Sequence, residues 1–375
     1  MKQRIWLLAA MFAILVLAGA CGSTPGAGDA TPIPTPQPGS SISATPEPTG
    51  PGAARHYMEQ GLNYARAKEW ERAEQAYSKA IKANSRIPEA YYNRGLVRLK
   101  LGRNKEATED LRMAVSLRAD FQPAIVSLGA GYLATGQLNA ALSQFQKVVN
   151  RDPGNLEAQN NLGAVYMRMG RYDQAEKIFK KILRQDYKFI SAHVNIGLLY
   201  FYNKKPQLAE RVFRNAEKID PKNADLIANY GYMLYKLGEI SLAKVQLEKA
   251  LRIDPNNATA LTNLGALEIM LRQFDKALMH LERSVQIDPS NPHAWTNLGI
   301  ARRVKGNGDA AETAYKKAIA IDPQLAVAYL NYGIFLEQVR QDKAGARAQY
   351  SRYWQVAKNR PDKNERVPEW VKALK

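Results

Sequence analysis

"QNNLGAVY", residues Gln159 to Tyr166, places a glycine inside an apolar run and an asparagine two residues before it. The same figure recurs along the chain and gives a series of marker glycines: Gly61, Gly95, Gly129, Gly163, Gly197, Gly231, Gly265, Gly299 and Gly333. Every successive pair of these glycines is 34 residues apart. A fixed period of this length is typical of arrays of helical hairpins. The sequence therefore predicts nine hairpins between Ala54 and about Asn359.

Each repeat is numbered so that its marker glycine is position 8. Position 20 is alanine in eight repeats: Ala73, Ala107, Ala141, Ala175, Ala209, Ala243, Ala277 and Ala311. Position 24 is aromatic or leucine: Tyr77, Leu111, Phe145, Phe179, Phe213, Leu247, Leu281 and Tyr315. Position 27 is small in most repeats: Ala80, Ala114, Ala216, Ala250, Ser284 and Ala318. Small residues let two helices approach closely, and the large residue fills the space beside them.

These positions, with the Asp-Pro pair that commonly ends a repeat, resemble the tetratricopeptide repeat. The resemblance implies an all-α protein, a right-handed α-superhelix (solenoid) of nine hairpins. Their expected bounds are 54–87, 88–121, 122–155, 156–189, 190–223, 224–257, 258–291, 292–325 and 326–359. In the ninth repeat Ala346 and Tyr350 come one residue late, which indicates a turn with one extra residue.

The C-terminal segment, residues 360–375, is expected to form a capping helix and tail. Its apolar residues Val367, Trp370, Val371 and Leu374 recur at the spacing of one helix face. We expect this face to cover the end of the array. The alternative is that it binds a partner.

The N-terminus has the pattern of an export signal. Lys2 and Arg4 precede an apolar run that is short for a membrane span, and the only cysteine follows at Cys21. "LAGAC" resembles the lipobox of bacterial lipoproteins, although that family prefers leucine where Ala18 stands. The resemblance implies a signal peptide at residues 1–20, lipid attachment at Cys21 and, from Gly22, sorting to the outer membrane facing the periplasm. The alternative is a soluble secreted protein cut near Ala20.

Residues 21–53 are rich in proline, threonine and glycine. Such a stretch lacks the apolar side chains needed to bury a core, and it favours extended or disordered conformations. We interpret it as a tether that holds the repeat array near a membrane.

Position 6 is the asparagine of the opening figure. Along the nine repeats it reads Glu59, Asn93, Ser127, Asn161, Asn195, Asn229, Asn263, Asn297 and Asn331. Position 6 lies about 200° round a helix from the glycine, so we expect it to point away from the second helix and into the concave groove. An amide both donates and accepts hydrogen bonds, so it can pair with a bound backbone.

We therefore predict that the position-6 asparagines form a peptide-binding ladder: Asn93, Asn161, Asn195, Asn229, Asn263, Asn297 and Asn331. The resemblance supports this, because some tetratricopeptide proteins bind extended peptides through such a ladder. The alternative is that asparagine here is a common family choice and is only solvated.

Two further positions describe the predicted groove. Position 9 is apolar in every repeat: Leu62, Leu96, Ala130, Ala164, Leu198, Tyr232, Ala266, Ile300 and Ile334. Position 13 contributes a basic groove edge: Arg66, Lys100, Arg168 and Lys236. That edge favours acidic or phosphate-bearing partners, whereas the alternative is ordinary exposed surface. The family's clamp for chaperone C-termini needs an asparagine at position 9, so this sequence argues against chaperone binding.

No catalytic or metal site is indicated. The four histidines, His56, His193, His280 and His293, lie in different repeats, and the single cysteine belongs to the predicted lipobox. We expect no enzyme activity and no cofactor.

The chain carries a net charge of +18. A basic array favours an acidic protein segment, an acidic polysaccharide or an anionic lipid surface. The export signal argues against nucleic acid as a partner.

We expect a non-enzymatic scaffold for protein–protein interaction, lipid-anchored in the bacterial envelope, that binds an extended segment of an envelope protein. The build resembles lipoproteins that assist assembly of type IV pilus secretins. The alternative is a component of exopolysaccharide synthesis or secretion, which binds acidic polymer or links a synthase to an exporter. A third is a peripheral lipid-binding protein.

Overall fold

The computed structural model describes residues 52–357 and residue 367. The predicted signal, Cys21, the tether and most of the predicted C-terminal cap lie outside the described residues. Eighteen α-helices occur in the described part of the chain, which contains no strand. The prediction of an all-α array of nine helical hairpins is confirmed.

The chain divides between Ala192 and His193 into two compact units. We call their described parts, residues 52–192 and residues 193–357 with 367, the N-terminal unit and the C-terminal unit. The N-terminal unit contains α1 (Ala53–Arg66), α2 (Trp70–Ala83), α3 (Pro88–Lys100), α4 (Asn104–Leu117), α5 (Gln122–Ala134), α6 (Leu138–Arg151), α7 (Leu156–Arg168) and α8 (Tyr172–Gln185).

The next helix, α9 (Ile190–Tyr202), begins at the end of the N-terminal unit. The C-terminal unit continues with α10 (Pro206–Ile219), α11 (Ala224–Lys236), α12 (Ile240–Ile253), α13 (Ala258–Met270), α14 (Phe274–Ile287), α15 (Pro292–Val304), α16 (Gly308–Ile321), α17 (Ala326–Phe335) and α18 (Lys343–Ala357). Odd-numbered helices are the first helix of a repeat, and even-numbered helices are the second.

The two helices of each repeat pack closely at the marker glycine. A methyl group built on Gly163 would lie 2.5 Å from Cε1 of Phe179, and one built on Gly299 would lie 2.6 Å from Cε1 of Tyr315. The alanines at position 20 are fully buried in all eight repeats that carry them. At eight of the nine marker glycines an added methyl group would come within 2.9 Å of the large residue in the second helix, so the predicted role of the glycine in helix packing is confirmed.

The ends of the helices follow from local residue chemistry. The side-chain oxygens of Asn155, Asn223, Asn257 and Asn291 accept hydrogen bonds from backbone amides in the first turn of the following helix. Such caps satisfy amides that have no partner within the helix. Between the two helices, position 15 is left-handed, and it is glycine in five repeats but Lys68, Lys204 or Arg272 in three.

The turn of the ninth hairpin contains one extra residue. α17 runs into a π-helical turn, Leu336–Arg340, and the left-handed residue is Gln341, one place later than in the other repeats. The shift lets Tyr350 pack on Gly333, where an added methyl group would lie 2.5 Å from Cε1 of the ring. Ala346 is fully buried beside them. The predicted insertion in this turn is confirmed.

The apolar cluster at the end of the C-terminal unit includes Tyr353, Ala357 and Val367. Val367 is helical and fully buried. Its burial against α18 agrees with the predicted cap. Trp370, Val371 and Leu374, the other residues of the predicted face, lie outside the described residues.

Candidate functional site: the asparagine row

The position-6 asparagines occupy the same place in successive first helices. Asn93 and Asn161 lie in the N-terminal unit; Asn195, Asn229, Asn263, Asn297 and Asn331 lie in the C-terminal unit. All seven are at most 6 % exposed. We call the five in the C-terminal unit the asparagine row.

This burial corrects the expectation that the amides line an open, solvated groove. The rotation of about 200° does turn position 6 away from the second helix of its own repeat. However, first helices of successive repeats contact each other, as α11 does α13, α13 does α15 and α15 does α17. These helices are apolar on nearly all sides, and in α13 every residue from Ala260 to Ile269 is buried. Neighbouring repeats cover the amides, and peptide binding by the row stays a prediction.

Several asparagine side chains in these helices have a buried polar atom, Oδ1 or Nδ2, that makes no hydrogen bond. Nδ2 of Asn229 donates to the backbone oxygen of Asp225 at 2.8 Å, and Nδ2 of Asn331 donates to that of Val327 at 2.9 Å. Within the described structure, Oδ1 of both residues and Nδ2 of Asn263 are buried without a partner. A buried polar atom in this state costs about 1–3 kcal/mol.

The two other predicted groove positions behave differently from each other. Position 9 is buried in all nine repeats, so its apolar residues pack between helices. At position 13, Arg66 and Arg168 are exposed and Lys100 is half-buried in the N-terminal unit, while Lys236 is exposed in the C-terminal unit. The structure thus places three of the four predicted basic residues within one unit.

An ion-pair network in the N-terminal unit was not predicted. Arg94 donates to both carboxylate oxygens of Asp110, at 2.8 and 2.7 Å, and Arg98 joins Asp110 to Glu74 through bonds of 2.9 Å each. Burial lowers the pKa of Arg94, but the hydrogen bonds to Asp110 and its negative charge outweigh this effect. The pKa of Arg94 is therefore raised above the ordinary value. The sequence did contain a sign of this network: Arg94 occupies position 7, where most repeats have an apolar residue. The network links the first two repeats.

A second unpredicted pair lies within the seventh repeat. Oε2 of Glu268 is 2.8 Å from Nδ1 of His280, and Glu268 is buried. Position 11 holds tyrosine in four other repeats and an acidic residue only in this one, so the glutamate was a signal in the sequence. Pairing with the imidazole satisfies a carboxylate that would otherwise be costly to bury.

Within residues 52–357 and 367, no cluster of three or more histidine, cysteine or acidic residues could hold a metal ion. No helix in that part has the length and apolar character of a membrane span.

Proteins with matching segments share this repeat. The human DnaJ homolog subfamily C member 7 is 32% identical over 106 residues, which cover 28% of this chain and 22% of that protein. Hsp70-Hsp90 organizing protein 2 of Arabidopsis thaliana is 28% identical over 107 residues, covering 28% of this chain and 19% of that protein. This chain therefore matches less than a third of the length of such relatives.

Solved structures share the fold at low sequence identity. The Cut9-Hcn1 hetero-tetramer of the APC/C matches with a TM-score of 0.53 and 16% identity, over 86% of this chain and 63% of that one. A structure of pilF from Pseudomonas aeruginosa matches with a TM-score of 0.46 and 21% identity, over 59% of this chain and 97% of that one. At 16% identity the likeness to the Cut9-Hcn1 structure shows the fold alone.

Sequence models described as "Tetratricopeptide repeat" match residues 58–120, 132–193, 165–224 and 268–331, and a further "TPR repeat" model matches 231–267. Together these segments cover more than half of the chain, and they coincide with hairpins that repeat every 34 residues around a marker glycine. The chain belongs to the tetratricopeptide repeat family.

Proposed function

We propose that this protein is a lipid-anchored scaffold of a bacterial envelope, whose asparagine row pairs with an extended segment of an envelope protein. Proteins built from tetratricopeptide repeats bind protein partners, and the fold is typically used without catalysis. The anchor, the envelope location and the partner are the proposed parts. They are supported by the lipobox-like sequence before Cys21 and by the chemistry of the row.

The observation that carries the proposal is the repeated, half-paired state of buried amides. Asn229 and Asn331 each use Nδ2 within their own helix and leave Oδ1 without a partner inside the protein. Each such atom costs about 1–3 kcal/mol, and the helix does not need it, because other repeats place Glu59 or Ser127 at position 6. A bound backbone would supply the missing N–H donors.

The spacing of the row suits an extended segment. Packed helices in successive repeats are roughly 10 Å apart, and an extended chain advances about 3.3 Å per residue, so one amide meets roughly every third peptide unit. Access requires neighbouring first helices to separate. Repeat arrays permit such movement, because each repeat contacts only its neighbours and can open locally.

The test combines binding with stability in one variant, Asn229→Leu, Asn263→Leu and Asn331→Leu. Leucine keeps the branched shape of asparagine and leaves no amide unpaired, but it is larger, so the gain from removing unpaired atoms and the cost of overpacking oppose each other. We expect the variant to stay folded, and urea unfolding checks this. Capture from detergent-solubilised envelopes should recover a partner with the native chain and lose it with the variant.

The control variant, Asn215→Leu with Asn256→Leu, changes two exposed asparagines of the same unit. It should recover the partner as the native chain does. Equal recovery by the triple variant would remove the row from the proposal, even if the scaffold role is retained.

Among envelope complexes, we propose the type IV pilus secretin assembly. The support is the resemblance in build: a lipobox-like sequence, a proline-rich stretch and a repeat array. Genes for pilus ATPases beside the gene for this chain would strengthen the assignment. Neighbouring glycosyltransferase genes would instead favour exopolysaccharide secretion.

A further inference from the structure

The outer side of α8 carries an unusual set of positive charges. Lys177, Lys181 and Arg184 follow one another at i, i+4 and i+7, so they lie on one side of the helix, and Lys188 follows just beyond its end. Lys147 of α6 occupies position 26, the position that Lys181 occupies in the next repeat. All five side chains are exposed. We call these five residues the basic face.

The basic face is not neutralised within the protein. In the part of the chain that the structure describes, none of its five side chains has an ion pair. Some exposed cations on other second helices pair with nearby acids, as Arg112 does with Glu109 in α4 and Lys316 with Glu312 in α16.

The cations of the basic face repel one another and form no ion pair within the described part of the protein. Lys177 and Lys181 are like charges at i, i+4, a spacing that destabilises a helix by a few tenths of a kcal/mol in general. The opposite side of the same helix holds Phe179 and Ile182, both fully buried, which fixes the direction in which the cations point. An external anionic surface would make the arrangement favourable.

The composition of the face indicates which anionic surface fits. Four of the five residues are lysine. The lysine ammonium group is a compact charge that attracts anions without requiring the two parallel hydrogen bonds that arginine forms. Tyr187, at the end of the face beside Lys188, is 60 % exposed. Tyrosine is enriched at the level of the lipid headgroups, and lysine is common on the polar side of helices that lie there. The cations also lie on the exposed side of the helix, where several of them can contact one flat surface at the same time.

We propose that the basic face docks the N-terminal unit onto a bilayer surface that contains anionic phospholipid. The inference goes beyond the proposed function and does not rest on it, because it concerns a different unit and needs neither the lipid on Cys21 nor a protein partner. Its effect would be to orient the N-terminal unit with the outer side of α8 toward the headgroups.

The experiment measures binding of the full chain to phosphatidylcholine vesicles with and without phosphatidylglycerol. The apolar N-terminal residues can bind both vesicle types, and neutral vesicles measure that contribution. The difference in affinity between the two vesicle types therefore measures the binding that depends on lipid charge. A variant with Lys177, Lys181, Arg184 and Lys188 all changed to Gln should lose at least about tenfold in affinity for the anionic vesicles, since each cation contributes separately. High salt should weaken binding of the native chain in the same direction.

The matched control changes Lys68, Lys82, Arg86 and Lys105 to Gln. These four are also three lysines and one arginine, exposed, and in the N-terminal unit. The control should bind anionic vesicles as the native chain does, and thermal unfolding should show that both variants are folded.

Three outcomes would overturn the proposal. Equal loss in the control would assign binding to net charge alone. Native binding that is the same on neutral and anionic vesicles would remove the lipid surface as the partner. Loss of binding to soluble polygalacturonate in the α8 variant, with vesicle binding unchanged, would assign the face to an acidic polysaccharide.

Discussion

Tyr315 is fully buried at the centre of the eighth hairpin, where its ring packs on Gly299 and its hydroxyl has no hydrogen-bond partner in the described structure. Three other repeats place phenylalanine at this position. We expect Tyr315→Phe to raise the free energy of unfolding at pH 7 by roughly 1 kcal/mol, because it removes an unsatisfied polar atom. Urea unfolding measures this change.

The same variant has a predictable pH dependence. Burial raises the pKa of the Tyr315 phenol well above its ordinary value, and the nearby charge of Arg303 acts in the opposite direction. The unfolded phenol ionises near pH 10, so the native chain should lose stability as the pH rises above about 10, and Tyr315→Phe should lose less.

Tyr350→Phe is the comparison for Tyr315→Phe, because the Tyr350 hydroxyl donates to Oε2 of Glu337 at 2.7 Å. This substitution should lower stability at pH 7 by about 1 kcal/mol. Equal effects of the two substitutions would show that the hydroxyl of Tyr315 has a partner in solution.

The marker glycine gives a second prediction for single residues. Gly299→Ala places a methyl group 2.6 Å from Cε1 of Tyr315, and we expect a loss of about 1–3 kcal/mol in stability from overpacking. Gly308→Ala is the control in the same repeat, since the nearest atom is 3.8 Å away and alanine favours the helix. Thermal unfolding should separate the two variants, and a similar midpoint for both would contradict the packing role of the glycine.

At the scale of the helical element, the turn of the ninth repeat offers a test of spacing. Deleting Gln338 from the π-helical turn restores the usual distance from Gly333 to Ala346 and Tyr350. We expect this deletion to change stability by less than about 1 kcal/mol, because the register of α18 is kept.

Deleting Gln349 instead should be strongly destabilising. It lies between Ala346 and Tyr350, so its loss rotates the two contacts by about 100° relative to each other. Circular dichroism and thermal unfolding of the two deletions measure the difference. If the Gln349 deletion were as stable as the Gln338 deletion, the contacts of α18 would not depend on its register.

The helical elements were largely predictable because one repeat determines its own two helices. The glycine, the alanine at position 20 and the large residue at position 24 contact each other within 17 residues of chain, so their spacing in sequence reports their packing. The extra turn residue before Gln341 followed from the same spacing. The burial of Asn263 could not be predicted in this way, because it depends on the distance to the first helix of the next repeat. The rotation of residues around one helix gives no information on that distance.

At the scale of the whole molecule, the two proposed binding sites have different chemistry. The asparagine row is buried among nearly apolar helices of the C-terminal unit, and the basic face lies on the exposed side of a helix in the N-terminal unit. A partner held by hydrogen bonds to the row should bind with little dependence on salt, whereas attraction to the basic face falls as salt screens it. Salt concentration should therefore separate the two proposed activities in one preparation.

The proposed lipid anchor at Cys21 leads to the last prediction, which concerns the membrane that holds the molecule. Cys21 is the only cysteine, so we expect the native chain to incorporate radiolabelled palmitate in bacteria and Cys21→Ala to incorporate none. Gly22→Asp is the matched control, because it keeps the cysteine but introduces the usual signal for retention in the inner membrane. It should be labelled as strongly as the native chain and sediment with inner instead of outer membranes. An unlabelled native chain would remove the anchor, whereas a labelled native chain in the inner membrane would overturn only the sorting.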